Sequence, residues 1–165
     1  MKFFSGFCLC NEKELFREYL EEGEFVVAGF SYGAQRAVEF VLNTPYRVDK
    51  LQLFSPAYFS YSKKIIEMNI KAFCKDKENY IKNFLKKAGF WDERFLCDCE
   101  LKDLKRLFYF DWNKIKELKY VKVEVFLGER DRIIDVKRAY EFFKKVGEVY
   151  YLKNANHFLR RDIGI

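Results

Sequence analysis

The feature that most narrows what this chain can fold into is Gly29-Phe30-Ser31-Tyr32-Gly33, a G-x-S-x-G pentapeptide between two segments of opposite character. Before it, Phe25, Val26, Val27 and Ala28 form a continuous apolar run, as expected of a strand buried on both faces of a parallel sheet. After it, Ala34, Ala37, Val38, Val41 and Leu42 recur at helical spacing, and Pro45 lies just beyond the expected helix end. A strand that becomes a helix within so few residues brings backbone against backbone, so glycine is needed on both sides of the serine. The turn lifts the Ser31 hydroxyl to the open sheet edge, where it can act as a nucleophile. A Gly-rich turn of this kind can also exist for packing alone, so the pentapeptide needs partners elsewhere in the chain.

Partners follow in the order acid, then histidine. His157 is the only histidine and sits in Asn154-Ala155-Asn156-His157-Phe158, just past the last predicted strand, where a general base is required. Gly128-Glu129-Arg130-Asp131 directly follows another buried-strand run, so Asp131 emerges at the same edge and can orient the imidazole. Asp135 fits the N-cap of the next helix instead, and Glu129 is the weaker rival for the acid. An oxyanion formed at a substrate carbonyl needs two backbone N–H donors. Tyr32, after the serine, and Phe7, in the loop after the first strand, occupy the right places.

The remaining chain alternates strand and helix. Short strands are predicted over residues 2–4, 51–54, 121–127 and 147–152, with helices over 11–22, 34–42 and 135–145. Between residues 57 and 119 the pattern changes to Lys-rich helical pieces, near 63–74, 78–87, 100–110 and 113–119, which reads as an inserted helical lid. The expectation is a single α/β domain over 1–165, with about five parallel strands, flanking helices and no second unit.

Composition sets the function classes. The apolar runs are far shorter than the roughly 18 residues of a membrane span, and residues 1–10 lack the pattern of a secretory signal, so a cytoplasmic protein with no membrane partner is expected. Five cysteines are an odd count, and Cys8/Cys10 and Cys97/Cys99 are spaced too closely for disulfides within each pair, so reduced thiols are expected. A zinc site built from both pairs is a weaker alternative, and the serine chemistry needs no metal or organic cofactor. Cys74 reads as a small buried hydrophobe. The net charge is +6, and residues 56–119 hold fifteen Lys and Arg against ten Asp and Glu, which favours an acidic partner. No nucleic-acid recognition motif accompanies this charge, so no nucleic-acid partner is expected. Nineteen Phe and eleven Tyr suit a pocket for an apolar ligand.

From Ser5-Gly6-Phe7 through the Ser31 turn, Leu53-Phe54-Ser55-Pro56, Gly128-Glu129-Arg130-Asp131 and Asn156-His157, the chain resembles α/β-hydrolases along nearly its whole length, in a minimal form. Small size, a start at the oxyanion strand and a short basic lid resemble the BioV-type pimeloyl-acyl-carrier-protein methyl ester esterases of biotin synthesis. The sequence departs from the common H-G-x-G pattern, having Ser5-Gly6-Phe7-Cys8, and lacks the early strands of larger relatives. The resemblance implies a Ser31–His157–Asp131 triad, oxyanion donors at Phe7 and Tyr32, and an acyl carrier protein bearing a methyl-pimeloyl group as partner. Lys102, Lys105 and Arg106 fall on one helix face, as do Lys82 and Lys86, and are the candidate contacts to that acidic carrier. A general short-chain carboxylesterase or thioesterase, and a non-catalytic binding protein of the same fold, are the alternatives.

Overall fold

The computed structural model describes residues 1–90 and 92–161. Its five strands form one sheet in the order of the sequence: β1 (Lys2–Phe4), β2 (Val26–Phe30), β3 (Lys50–Phe54), β4 (Lys122–Gly128) and β5 (Glu148–Leu152). Every neighbouring pair is parallel. Strands β2 and β4 are buried nearly throughout, which is why they read in sequence as apolar runs rather than alternating ones. Helix α1 (Tyr32–Asn43) follows β2, and α5 (Val136–Phe143) follows β4. Between β3 and β4 lie α2 (Lys63–Lys75), α3 (Lys77–Ala88) and α4 (Leu101–Tyr109), where the sequence predicts a helical insertion. Residues 113–119, expected as a fourth helix there, form a 3₁₀ turn at Trp112–Glu117. Its indole N–H bonds the carbonyl of Ala57.

Parallel register places Phe30, Phe54, Phe126 and Tyr150 side by side across four strands. The rings of Phe54 and Phe126 lie 5.1 Å apart and those of Phe126 and Tyr150 4.8 Å apart. Phe16 covers the row, its ring 4.7 Å from Phe30 and 5.0 Å from Phe54. The aromatic surplus of the sequence is thus spent largely on the core.

Phe16 also marks a difference from the sequence expectation. Residues 11–22 form only a short 3₁₀ helix, Glu12–Phe16, not a long α-helix. Two side chains divert the segment. Glu12 turns fully inward and accepts the N–H of Gly6. Gln52, projecting from β3, accepts the N–H of Glu21 and donates to the carbonyl of Tyr19 and to Glu124. Backbone groups that an α-helix would pair internally are therefore paired to the sheet.

The cysteines also depart from expectation. Cys8 is bonded to Cys99, and Cys10 to Cys97. Reduced thiols followed from spacing within each C-x-C. The bonds instead run between the two C-x-C segments, which lie antiparallel: Cys10 N–H donates to Phe95, Cys97 N–H donates to Cys8, and Leu9 faces Leu96. Cys74, expected to be buried, is exposed on α2 and unbonded. Among the described residues no helix is long and apolar enough to cross a membrane.

A second apolar cluster sits beside the main core. Phe7, Tyr32 and Ala57 from the sheet edge meet Phe73, Leu104 and Leu107 from the inserted helices. This is the contact that seats the insertion over the carboxyl ends of β1 and β2.

Candidate active site

Ser31 follows β2 directly and precedes the first residue of α1, with φ 55° and ψ −114°. A non-glycine residue pays on the order of 1–3 kcal/mol to sit in such a conformation. The surrounding backbone enforces it. A β-carbon at Gly29 would lie 2.2 Å from the carbonyl oxygen of Gly33, and one at Gly33 would lie 2.0 Å from that of Phe4. Both approaches are impossible for any other residue, so the G-x-S-x-G spacing is dictated by contact distance. The Ser31 N–H donates to Phe54 and its carbonyl accepts from Ala57, which pins the turn to the end of β3.

His157 reaches this turn from the loop after β5. Its Nε2 lies 2.9 Å from Ser31 Oγ, and its Nδ1 lies 2.6 Å from Asp131 Oδ2. The network selects the tautomer in which Nδ1–H donates to the carboxylate and Nε2 accepts the serine hydroxyl. Asp131 is itself fixed, because its other oxygen accepts the N–H groups of Ile133 and Ile134. The two rivals point elsewhere: Glu129 accepts the N–H of Asn154, and Asp135 caps α5 through the N–H of Arg138. The side chains of His157 and Asp131 are 1% and 0% exposed, and Ser31 is 2% exposed, so the group is sealed from bulk water.

Phe7 and Tyr32 stand beside it, their rings 6.4 Å apart. Among the described residues neither backbone N–H finds an acceptor, as required of donors kept for a transient anion. The Tyr32 phenol bonds Asp103 on α4. Burial, and then the Asp103 carboxylate, hold it above the ordinary phenol range.

Three supporting residues escaped the reading of the sequence. Ser55 donates its hydroxyl to the carbonyl of His157 at 2.6 Å. Asn156 accepts from Phe158 and Arg160 and donates to Gly89 at the end of α3, so it shapes the loop that carries the histidine. Glu12 holds Gly6, next to Phe7. Burial raises the Glu12 carboxyl above its ordinary pKa, opposed by the Gly6 N–H. A short polar residue after a strand and a glutamate in a helical pattern carry no special signal, and only the third dimension gives them a role.

A cavity of about 400 Å³ opens beside the inserted helices, lined by aromatic residues such as Phe59, Tyr61 and Phe108 and by polar ones such as Asn69, Asn79 and Lys87, with Phe84 and Ile133 on the side of the candidate site. Ile133 touches the Asp131 loop through its N–H, and Phe84 lies edge-on to Phe7 at 6.0 Å. Burial and then Tyr61 push the Tyr80 hydroxyl up to about 12, so it is neutral at physiological pH. Of the surface cations named from sequence, Lys82 and Lys86 on α3 and Lys102, Lys105 and Arg106 on α4 are all exposed, with Lys102 paired to Glu100. Among the described residues no cluster of three or more His, Cys, Asp or Glu is arranged to hold a metal.

No family model matches the sequence, and no curated protein matches it. Solved structures do resemble it. An esterase from Exiguobacterium antarcticum superposes with a TM-score of 0.60 at 16% identity, over 78% of this chain and 57% of that one. Naproxen esterase (carboxylesterase NP) from Bacillus subtilis gives 0.53 at 19% identity, over 81% of this chain and 53% of that one. MenH from S. aureus gives 0.60 at 11% identity, over 94% of this chain and 85% of that one. The chain thus spans little more than half the length of these two esterases. Identities this low speak to architecture alone, and the architecture is unambiguous: this chain has the α/β-hydrolase fold.

Proposed function

We propose that the chain is a serine esterase in which Ser31, His157 and Asp131 act as nucleophile, general base and orienting acid. The observation that carries this reading is the buried relay from Ser31 Oγ to His157 at 2.9 Å and on to Asp131 at 2.6 Å, built on a strained serine. Ser31 attacks the ester carbonyl as His157 Nε2 takes its proton, and the imidazolium is stabilised by Asp131. The N–H groups of Phe7 and Tyr32 hold the oxyanion. His157 returns the proton to the leaving alcohol, and water then releases the acyl group by the same steps in reverse. Because the triad is covered, the helices over residues 57–119 act as a lid that must open for substrate to enter.

Within this reaction class, the substrate proposed is the methyl ester of pimeloyl-acyl-carrier protein, cleaved to methanol and pimeloyl-carrier in biotin biosynthesis, in the cytoplasm. Two features support it: a partly aromatic cavity that reaches Ile133 in the Asp131 loop, and exposed cations on α3 and α4 that match an acidic carrier. A free short-chain ester is the second reading, favoured by the fold shared with a carboxylesterase.

The test is methanol release from the carrier methyl ester and hydrolysis of p-nitrophenyl butyrate, by wild type and Ser31→Ala, at low and high salt. Salt-sensitive release by wild type alone supports the carrier reading, since screening weakens attraction between oppositely charged proteins. Activity on the small ester only leaves an esterase and removes the carrier. Equal activity in Ser31→Ala overturns the mechanism.

A further inference from the structure

The two disulfides lie where the proposed chemistry is most sensitive to position. Residues 7–10 form one side of a two-strand ladder and residues 95–99 the other, joined by backbone bonds between Cys10 and Phe95 and between Cys97 and Cys8. Cys8 directly follows Phe7, whose N–H is one oxyanion donor. Cys99 directly precedes Glu100, the N-cap of α4, whose Asp103 holds the Tyr32 phenol. The bridges therefore tie the loop carrying one donor to the helix that touches the residue carrying the other, across 91 and 87 residues of chain.

Apart from the two backbone bonds to residues 95–97 and the packing of Phe7 against Phe73 and Phe84, the loop has little internal support. Cys8 sits at φ 58° and Asn11 at φ 62°, both in the left-handed region that non-glycine residues avoid. Inside the loop the backbone supplies only Leu9 N–H to Gly6, and the sole side-chain tie on its N-terminal side is Glu12 to Gly6. Without the bridges the covalent tie is lost at Cys8, the residue held at positive φ directly after Phe7, so the aim of the Phe7 N–H rests on backbone bonds and packing alone.

The bridges also differ in access. Cys8 and Cys99 are 5% and 6% exposed, whereas Cys10 and Cys97 are only half-buried. Cys97 further lines an open groove of about 540 Å³ shared with Ile81, Lys82, Glu93 and Leu96. The Cys10–Cys97 bridge is therefore the more exposed of the two.

We propose that the paired disulfides are a redox clamp on the oxyanion loop, closed and active when oxidised, opened by a dithiol reductant that enters at Cys97. The inference rests on the esterase reading of this site. A reductant thiolate attacks Cys97 Sγ, the Cys10–Cys97 bond breaks, and Cys10 leaves as a thiolate that takes up a proton. The second reductant thiol resolves the mixed disulfide, releasing Cys97 and leaving the reductant as a disulfide, a two-electron exchange per bridge. With the outer ladder loosened, the inner Cys8–Cys99 bridge is reduced in the same way. In a reducing compartment such bridges are transient sensors rather than fixed staples.

The test uses the full chain carrying Cys74→Ser, which removes the exposed free thiol. After oxidation by glutathione disulfide and alkylation, mass mapping should find Cys8 linked to Cys99 and Cys10 to Cys97. Alkylated thiols at these four positions overturn the proposal. Hydrolysis of p-nitrophenyl butyrate is then followed through reduction by dithiothreitol and reoxidation. We expect kcat to fall about 10-fold or more and to return, whereas unchanged kcat in fully reduced protein overturns the clamp. Should no state hydrolyse any ester, the esterase reading falls and the clamp is judged by amide hydrogen exchange. Faster exchange confined to residues 6–10 on reduction supports it, and equal exchange, or faster exchange throughout β2–β4, overturns it.

Discussion

The turn at Ser31 and the loop at Phe7 face one another across the same site and are built by opposite means. Ser31 is held by steric necessity: three parallel strands, two glycines with no room for a β-carbon, and backbone bonds to β3 leave its conformation no alternative. Phe7 is held by remote segments, through Glu12 on one flank and, on the other, the backbone bonds and two disulfides to residues 95–99. The first kind of support is local and written into a five-residue motif. The second is assembled from residues far apart in the chain, so it can be altered without disturbing the sheet. On the esterase reading, the site is thus fixed on one side and adjustable on the other.

Perturbing each side in turn sharpens this contrast. Ser31→Ala should abolish ester hydrolysis, by about 10⁴- to 10⁶-fold in kcat, without lowering the unfolding midpoint, because alanine removes only the hydroxyl. Thermal unfolding and single-turnover assays check both halves. Asp131→Asn should cost about 10³- to 10⁴-fold in kcat by favouring the wrong histidine tautomer, again with little change in KM. Phe16→Ala works through the core beneath the site: removing a fully buried ring that touches Phe30 and Phe54 should cost about 3–5 kcal/mol in urea denaturation.

Glu12→Gln addresses the adjustable side. Glutamine keeps an acceptor for Gly6 but removes the ionisable group. The folded-state pKa of Glu12 is raised, so the folded chain holds its proton at pH values where the unfolded chain has lost it. Wild-type stability therefore falls as pH rises from the ordinary 4.5 through the raised value, and the variant should not show that component. Its advantage near neutral pH should be on the order of 1 kcal/mol. A variant curve parallel to wild type would mean that Glu12 is not protonated in the fold. The smallest effect is expected on the insertion surface. Lys82→Glu with Lys86→Glu should together raise KM for a carrier-bound ester about threefold at low salt and leave p-nitrophenyl butyrate turnover unchanged.

How much of this was legible in the sequence follows the same division. The meeting of Ser31, Asp131 and His157 could be read because Ser31 and Asp131 closely follow the buried strands β2 and β4, His157 lies past β5, and strand ends in a parallel sheet converge on one edge. Five parallel strands were readable from apolar runs alternating with helical segments, whereas their order in the sheet was not. The Phe7 side was only half readable. Position gave Phe7 as a donor, but neither Glu12 nor the cross-pairing of cysteines follows from local pattern, since both depend on which distant segment lies alongside. Residues 11–22 show the same limit: their spacing fits a helix, and the competing partner, Gln52, is thirty residues away in the chain. Tertiary hydrogen bonds overrode a correct local propensity.

The sequential order of the sheet has a consequence for biosynthesis. Each strand pairs with the one synthesised just before it, so the sheet can extend by one unit at a time as the polypeptide leaves the ribosome. The reactive group is the exception, for Ser31 meets His157 only across 126 residues. On the esterase reading, a nascent chain therefore carries its strained serine early but has no base to take its proton until the segment after β5 docks.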